Sequence, residues 1–170
     1  VTDWSANNRL AIFDISNPDS IVTKATTNVN LDAPGSIYVS GKYAYVTSLS
    51  NNLLAIFDIS NPASIITKAT TSANLDGPRG VYVSGKYAYV TSESSSRLCI
   101  FDISNPDSIV AKGYVNTGLA WPRGLFVSGK YAYVAGYLSD RFRIFELNHT
   151  DTPTFNTGAA TISNLQVYDN

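Results

Sequence analysis

Short apolar runs broken by tight turns fill the chain, and no window carries a convincing helical period. The runs "GVYVSG" at 80–85 and "KYAYVTS" at 86–92 are rich in β-branched and aromatic residues. They meet at Ser84-Gly85-Lys86, a hairpin signal, because glycine supplies the left-handed residue that a tight turn requires. "RLCIFDIS" at 97–104 follows, apolar on both faces, as expected of a strand buried between neighbouring sheets. "NPDS" at 105–108 turns the chain again: Pro106 fixes its own φ, and Asn105 and Asp107 can bond local backbone. "IVAKGYV" at 109–115 alternates more strictly and carries a lysine, which suits an outer edge strand.

This series of four strands recurs. "IFDISNPDSIV" at 12–22 returns letter for letter at 100–110, with the near copy "IFDISNPASII" at 56–66. "YVSGKYAYV" starts at Tyr38 and at Tyr82, and "FVSGKYAYV" starts at Phe126. Pro18, Pro62 and Pro106 set the period at 44 residues. A fourth copy has drifted to "IFELNHT", with Ile144 and Phe145 in register with Ile100 and Phe101. Four short strands per repeat predict an all-β fold, a β-propeller of four-stranded antiparallel blades. Four blade equivalents form a single domain over 1–170: about 1–27 with 163–170, then 35–71, 79–115 and 123–158.

The first unit starts inside a blade, because "NRLAIFDIS" aligned on "NLLAIFDIS" sets Val1-Thr2 on Val46-Thr47. In "SNLQVYDN" at 163–170, Leu165 and Val167 could take the places of Ile37 and Val39 and complete that blade, closing a ring of four. Two rivals stand beside this: a homodimer whose two chains share one larger ring, or a segment of a longer propeller.

"YVSGKYAYVTS" followed by "LLAIFDISNP" resembles the LVIVD-repeat family of bacterial and archaeal propellers, over nearly the whole chain. The resemblance implies a propeller, often in surface or secreted proteins, and brings no common catalytic residues with it.

Composition narrows the function classes. The net charge is −1 with 15% charged residues, so nothing marks a nucleic-acid partner. No apolar run reaches the length of a spanning helix, so no membrane insertion is expected. Abundant Ser, Thr and Asn, with 12% aromatics, favour an extracellular or cell-surface location. Cys99 is the only cysteine and aligns with Ala11 and Ala55, which reads as a small buried side chain. His149 is the only histidine, too little for a catalytic triad or a multi-histidine metal site. Asp14, Asp58 and Asp102, with Glu146, recur beside the corner turn and are expected to cap its backbone donors. No catalytic residue, metal or cofactor is therefore expected.

Differences between the copies point to one face. The "SGK" and "SNPDS" turns barely change, whereas the loops between strands two and three read "TDWSANNR", "TSLSNNL", "TSESSSR" and "AGYLSDR". The loops leading into strand one read "LDAPGS", "LDGPRG" and "LAWPRG". In an up-and-down blade both variable sets fall on the same side of the disc. That side collects Trp4, Asp32, Asp76, Arg79, Trp121, Arg123 and Tyr137, with Arg9, Arg97 and Arg141 nearby. Aromatics beside charged groups suit a polar ligand or protein partner. The expectation is a noncatalytic binding or scaffold module, taking a protein or a carbohydrate on this face. The alternatives are a saccharide-acting hydrolase, with Asp32 and Asp76 as paired carboxylates, and a purely structural spacer or head domain.

Overall fold

Each predicted hairpin and corner appears where the repeat places it. The computed structural model describes residues 1–3, 7–116, 118–138, 141–148, 154–156 and 161–162; Trp4, His149 and the 163–170 segment lie outside them. Strands β1 (Thr2–Asp3), β2 (Arg9–Asp14) and β3 (Val22–Thr27) form the first antiparallel sheet. The second comprises β4 (Pro34–Ser40), β5 (Tyr43–Ser48), β6 (Leu53–Asn61) and β7 (Ser64–Thr71). The third comprises β8 (Pro78–Ser84), β9 (Tyr87–Ser92), β10 (Arg97–Asn105) and β11 (Ser108–Val115). The fourth holds β12 (Pro122–Ser128), β13 (Tyr131–Gly136) and β14 (Arg141–Asn148), with β15 (Thr154–Asn156) and β16 (Thr161–Ile162) both on the outer side of β14. The chain is an all-β propeller array, and Thr2 pairs with Leu10 as Thr47 pairs with Leu54, which is the register that the alignment of Val1-Thr2 predicts.

Strand three of each blade is apolar on both faces because its alternate residues feed two different cores. Leu54 and Ile56 pack against Val81, Val83 and Phe101 of the third sheet, while Ala55 and Phe57 pack with Leu10 of the first. Leu98 and Ile100 likewise meet Val127, Val134 and Phe145 of the fourth. Tyr38, Tyr82 and Phe126, one per blade at the same position of strand one, run in a ladder with ring centroids 4.7 and 5.3 Å apart. Hydroxyls inside the cores tie the blades together. Thr47 Oγ1 donates to the carbonyl of Arg79 at 2.6 Å, and Thr91 Oγ1 to that of Arg123 at 3.3 Å.

The constant turns do what their composition suggests. Gly41, Gly85 and Gly129 sit at φ 56°, 57° and 54° in open space, so these hairpins need glycine for its backbone freedom. Asp14, Asp58 and Asp102 each accept the backbone N–H two residues on, at 3.0, 2.9 and 3.0 Å. Hydrogen bonds from Ser16, Ser60 and Ser104 hold these carboxyls below their usual range. Glu146 departs from the pattern: its longer side chain takes the Lys130 ammonium at 2.8 Å.

Cys99 is fully buried, and burial pushes its thiol up to about 12. Because the thiolate is the nucleophile, the native protein should leave a thiol reagent unreacted at pH 8 and react stoichiometrically once unfolded. Rapid labelling of the native protein would contradict this burial.

Candidate functional site

The variable loops converge through the backbone of the turns that lead into strand one. Asp76 donates its N–H to Ser92 Oγ at 2.7 Å and takes the same hydroxyl on its carbonyl at 2.8 Å. Asp32 and Ser48 repeat the arrangement one blade earlier at 2.7 and 2.9 Å. A second clip crosses between blades: Asn8 Oδ1 accepts from Ala33 N at 3.0 Å, and Asn52 Oδ1 from Gly77 N at 2.8 Å. In the fourth copy Ser gives way to Gly136 and Asp to Ala120, so this clamp is not available to the turn carrying Trp121.

After the proline of each turn comes Gly35, Arg79 or Arg123. The two arginines, from adjacent blades, both reach Glu93. Arg79 Nε donates to Glu93 Oε2, and Arg123 Nη2 donates to Oε1 at 2.8 Å. The Glu93 side chain is only 7% exposed, against 21% for Arg79 and 39% for Arg123. Burial alone would raise the Glu93 pKa, but the two guanidinium hydrogen bonds prevail and hold the carboxyl below its usual value. Glu93 is therefore ionised near neutral pH. It serves as a shared counterion that fixes two cations in place.

Arg123 continues the cluster outward. Its guanidinium lies 3.9 Å from the centroid of the Tyr137 ring, a cation–π contact. Tyr137 stacks on Trp121 at 6.4 Å and 21°, and Tyr137 N donates to the Trp121 carbonyl at 2.9 Å. Trp121 occupies a left-handed position, φ 48°, where the other copies have Ala33 at φ 50° and Gly77 at φ 63°. Only glycine adopts that conformation without strain. Trp121→Gly should therefore be more stable than Trp121→Ala by about 1 kcal/mol, since both remove the same ring and only one relieves the backbone. Equal denaturation midpoints would show that the site carries no strain.

Asp76, Arg79 and Glu93 line an open polar cavity of about 290 Å³, lined on the other side by Ser50 and Asn52 of the preceding blade. The structure thus joins Asp76 to Arg79, and Arg123 to Tyr137 and Trp121. Asp32 is not in that cavity: its carboxylate accepts Asn8 Nδ2 at 3.1 Å at the joint with the first sheet. The carboxylate that shares the cavity with Asp76 is Glu93. It was not among the residues that the sequence comparison singled out, although its position varies as Leu49, Glu93 and Tyr137. Arg9 pairs with Asp3 at 3.5 Å, and Arg97 lies over the Tyr114 ring at 4.2 Å. A larger groove of about 580 Å³ lies between the first two sheets, lined by apolar side chains such as Phe13, Ile15, Ile37 and Val39. It carries no titratable side chain and offers no chemistry.

The LVIVD repeat matches residues 2–29, 34–71, 78–117 and 122–139, and the chain belongs to the LVIVD-repeat family. A comparison with curated proteins finds no match. Among solved structures, a candidate 6-phosphogluconolactonase of Bacteroides uniformis superposes with a TM-score of 0.78 at 23% identity, covering 91% of this chain and 48% of its own. A candidate 6-phosphogluconolactonase of Bacteroides fragilis gives 0.76 at 21%, over 91% and 49%. The periplasmic gluconolactonase of Pseudomonas aeruginosa gives 0.70 at 15%, over 91% and 47%. The chain spans about half the length of these proteins. At such identities the likeness establishes the propeller fold alone. The expectation of a noncatalytic binding or scaffold module is corrected on the names alone: these neighbours are called lactonases. These three superposing propellers bear lactonase names, whereas a protein of Lactobacillus plantarum and one of Desulfotomaculum acetoxidans, which superpose as well, are named for no activity.

Proposed function

We propose that this propeller hydrolyses a small polar cyclic ester, a lactone, in the cavity around Asp76, Arg79 and Glu93. The observation that carries the proposal is the buried Glu93 carboxylate holding two arginines from adjacent blades beside a polar cavity. The lactonase names of the superposable propellers support the same reading.

The chemistry needs no covalent nucleophile. Water adds to the lactone carbonyl while the Asp76 carboxylate takes its proton. Arg79 and Arg123 stabilise the oxyanion that develops and then the carboxylate of the product. The ring C–O bond breaks, the proton passes to the departing alkoxide, and a hydroxy acid leaves. Glu93, tied to both guanidiniums, orients them and is not the base.

Consumption of glucono-1,5-lactone and of its 6-phosphate, followed by pH-stat above the spontaneous rate, tests the assignment with the full-length protein. Arg79→Ala and Arg123→Ala should each lower kcat/KM about 100-fold, the usual effect of removing one oxyanion donor. Wild-type rates in both variants, or no opening of either lactone by the wild type, would refute it.

A further inference from the structure

We propose that Trp121, braced by Tyr137 and Arg123, is the platform on which the substrate's pyranose ring stacks, so that the cyclic ester is a sugar lactone. The inference rests on the hydrolase reading above and adds the substrate class. Three observations carry it.

The first is the backbone. Position 121 needs a positive φ, which the equivalent positions meet with Ala33 and Gly77. Ala33 meets the same φ with a single side-chain carbon, so the turn does not need the ring for its backbone. The second is exposure: Trp121 is 41% and Tyr137 57% exposed, which leaves ring surface open to solvent beside a charged cluster. The third is coincidence. Both positions vary in every copy, Ala33, Gly77 and Trp121 at one and Leu49, Glu93 and Tyr137 at the other, and in the fourth blade the two together build a single stack. Arg123 lies on Tyr137 and bonds Glu93, which links the platform by one hydrogen bond to a carboxylate lining the proposed reaction cavity.

A pyranose ring suits this geometry. Its axial C–H groups present an apolar face to an aromatic ring, while its hydroxyls at the rim meet donors and carboxylates. A platform already rigid before binding loses little entropy when the ring docks. Trp121 is in this role a positioning residue, and the water attack happens beside it.

The test is binding of glucono-1,5-lactam, which has the shape of the lactone and resists hydrolysis, measured by calorimetry alongside lactone kinetics. Cyclohexanol is the ring-sized control without sugar hydroxyls. Trp121→Phe should bind the lactam within about threefold of wild type, and Trp121→Ala and Trp121→Gly at least tenfold more weakly, which is the loss of one stacked ring. In lactone opening, the same two variants should raise KM and leave kcat nearly unchanged, a split that a general loss of structure would not produce. Unchanged lactam affinity in Trp121→Ala overturns the platform, as does no lactam binding by the wild type. Cyclohexanol binding as tight as the lactam also overturns it, pointing to an apolar protein contact in place of a sugar. Trp121-dependent lactam binding by a protein that opens no lactone would uphold the platform and sink the hydrolase instead.

Discussion

Phe101→Ala should cost about 4 kcal/mol of stability, while Phe13→Ala, the same letter in the same repeat phrase, should cost only about 1–2 kcal/mol. Phe101 is fully buried in the core between the second and third sheets, and Phe57 is equally buried one blade earlier. Truncating either ring leaves a cavity in close-packed surroundings that relax only partly. Phe13 is 39% exposed, because its side of the first sheet borders the apolar groove. Ile103 and Ile15 repeat the contrast at 6% and 72% exposure. Urea midpoints of the two phenylalanine variants provide the check. Equal losses would mean that the first sheet packs as tightly as the third, against the exposure difference.

The same comparison shows which parts of the molecule its sequence reveals. The period, the strands and the corners are legible because each depends on local chemistry repeated from blade to blade. Glycine supplies three hairpins, an aspartate caps three corners, and an apolar run on both faces marks the buried strands three. The one-sidedness of the variable loops is legible as well, since it follows from strand alternation once the blade is recognised. Glu93 was hidden for a physical reason. Its partners lie 14 and 30 residues away, the second in another blade, and no spacing rule in a single strand brings them together. Asp32 misled in the opposite direction. It aligns with Asp76, and its partner Asn8 matches Asn52, but Gly35 and Leu49 stand where Arg79 and Glu93 complete the later cavity. Tyr137 and Arg123 were both visible as loop residues, but their contact depends on side-chain direction, which a repeat alignment does not contain.

Glu93→Gln should lower kcat/KM for the lactone about 100-fold and destabilise the fold by about 2 kcal/mol at neutral pH. Glutamine keeps the size of the side chain and one acceptor oxygen, so only the charge is lost. Two guanidiniums from adjacent blades would then face each other without their common anion. A fully buried pair broken in this way costs roughly 3–5 kcal/mol. Solvent reaches Arg79 and Arg123, 21% and 39% exposed, and screening reduces that figure. The pH dependence separates this effect from simple misfolding. The Glu93 carboxyl is held below its ordinary value of 4.5, so its contribution to stability is fully present above that pH. It is lost as the pH falls through the lowered, folded-state value, where protonation makes the wild type resemble the variant. The stability gap between wild type and Glu93→Gln should accordingly be widest near pH 7 and should close in strong acid, as read from denaturant midpoints across that range. A gap that persists undiminished in acid would show that the glutamate works through packing, and its role as the anion that sets the two arginines would fall.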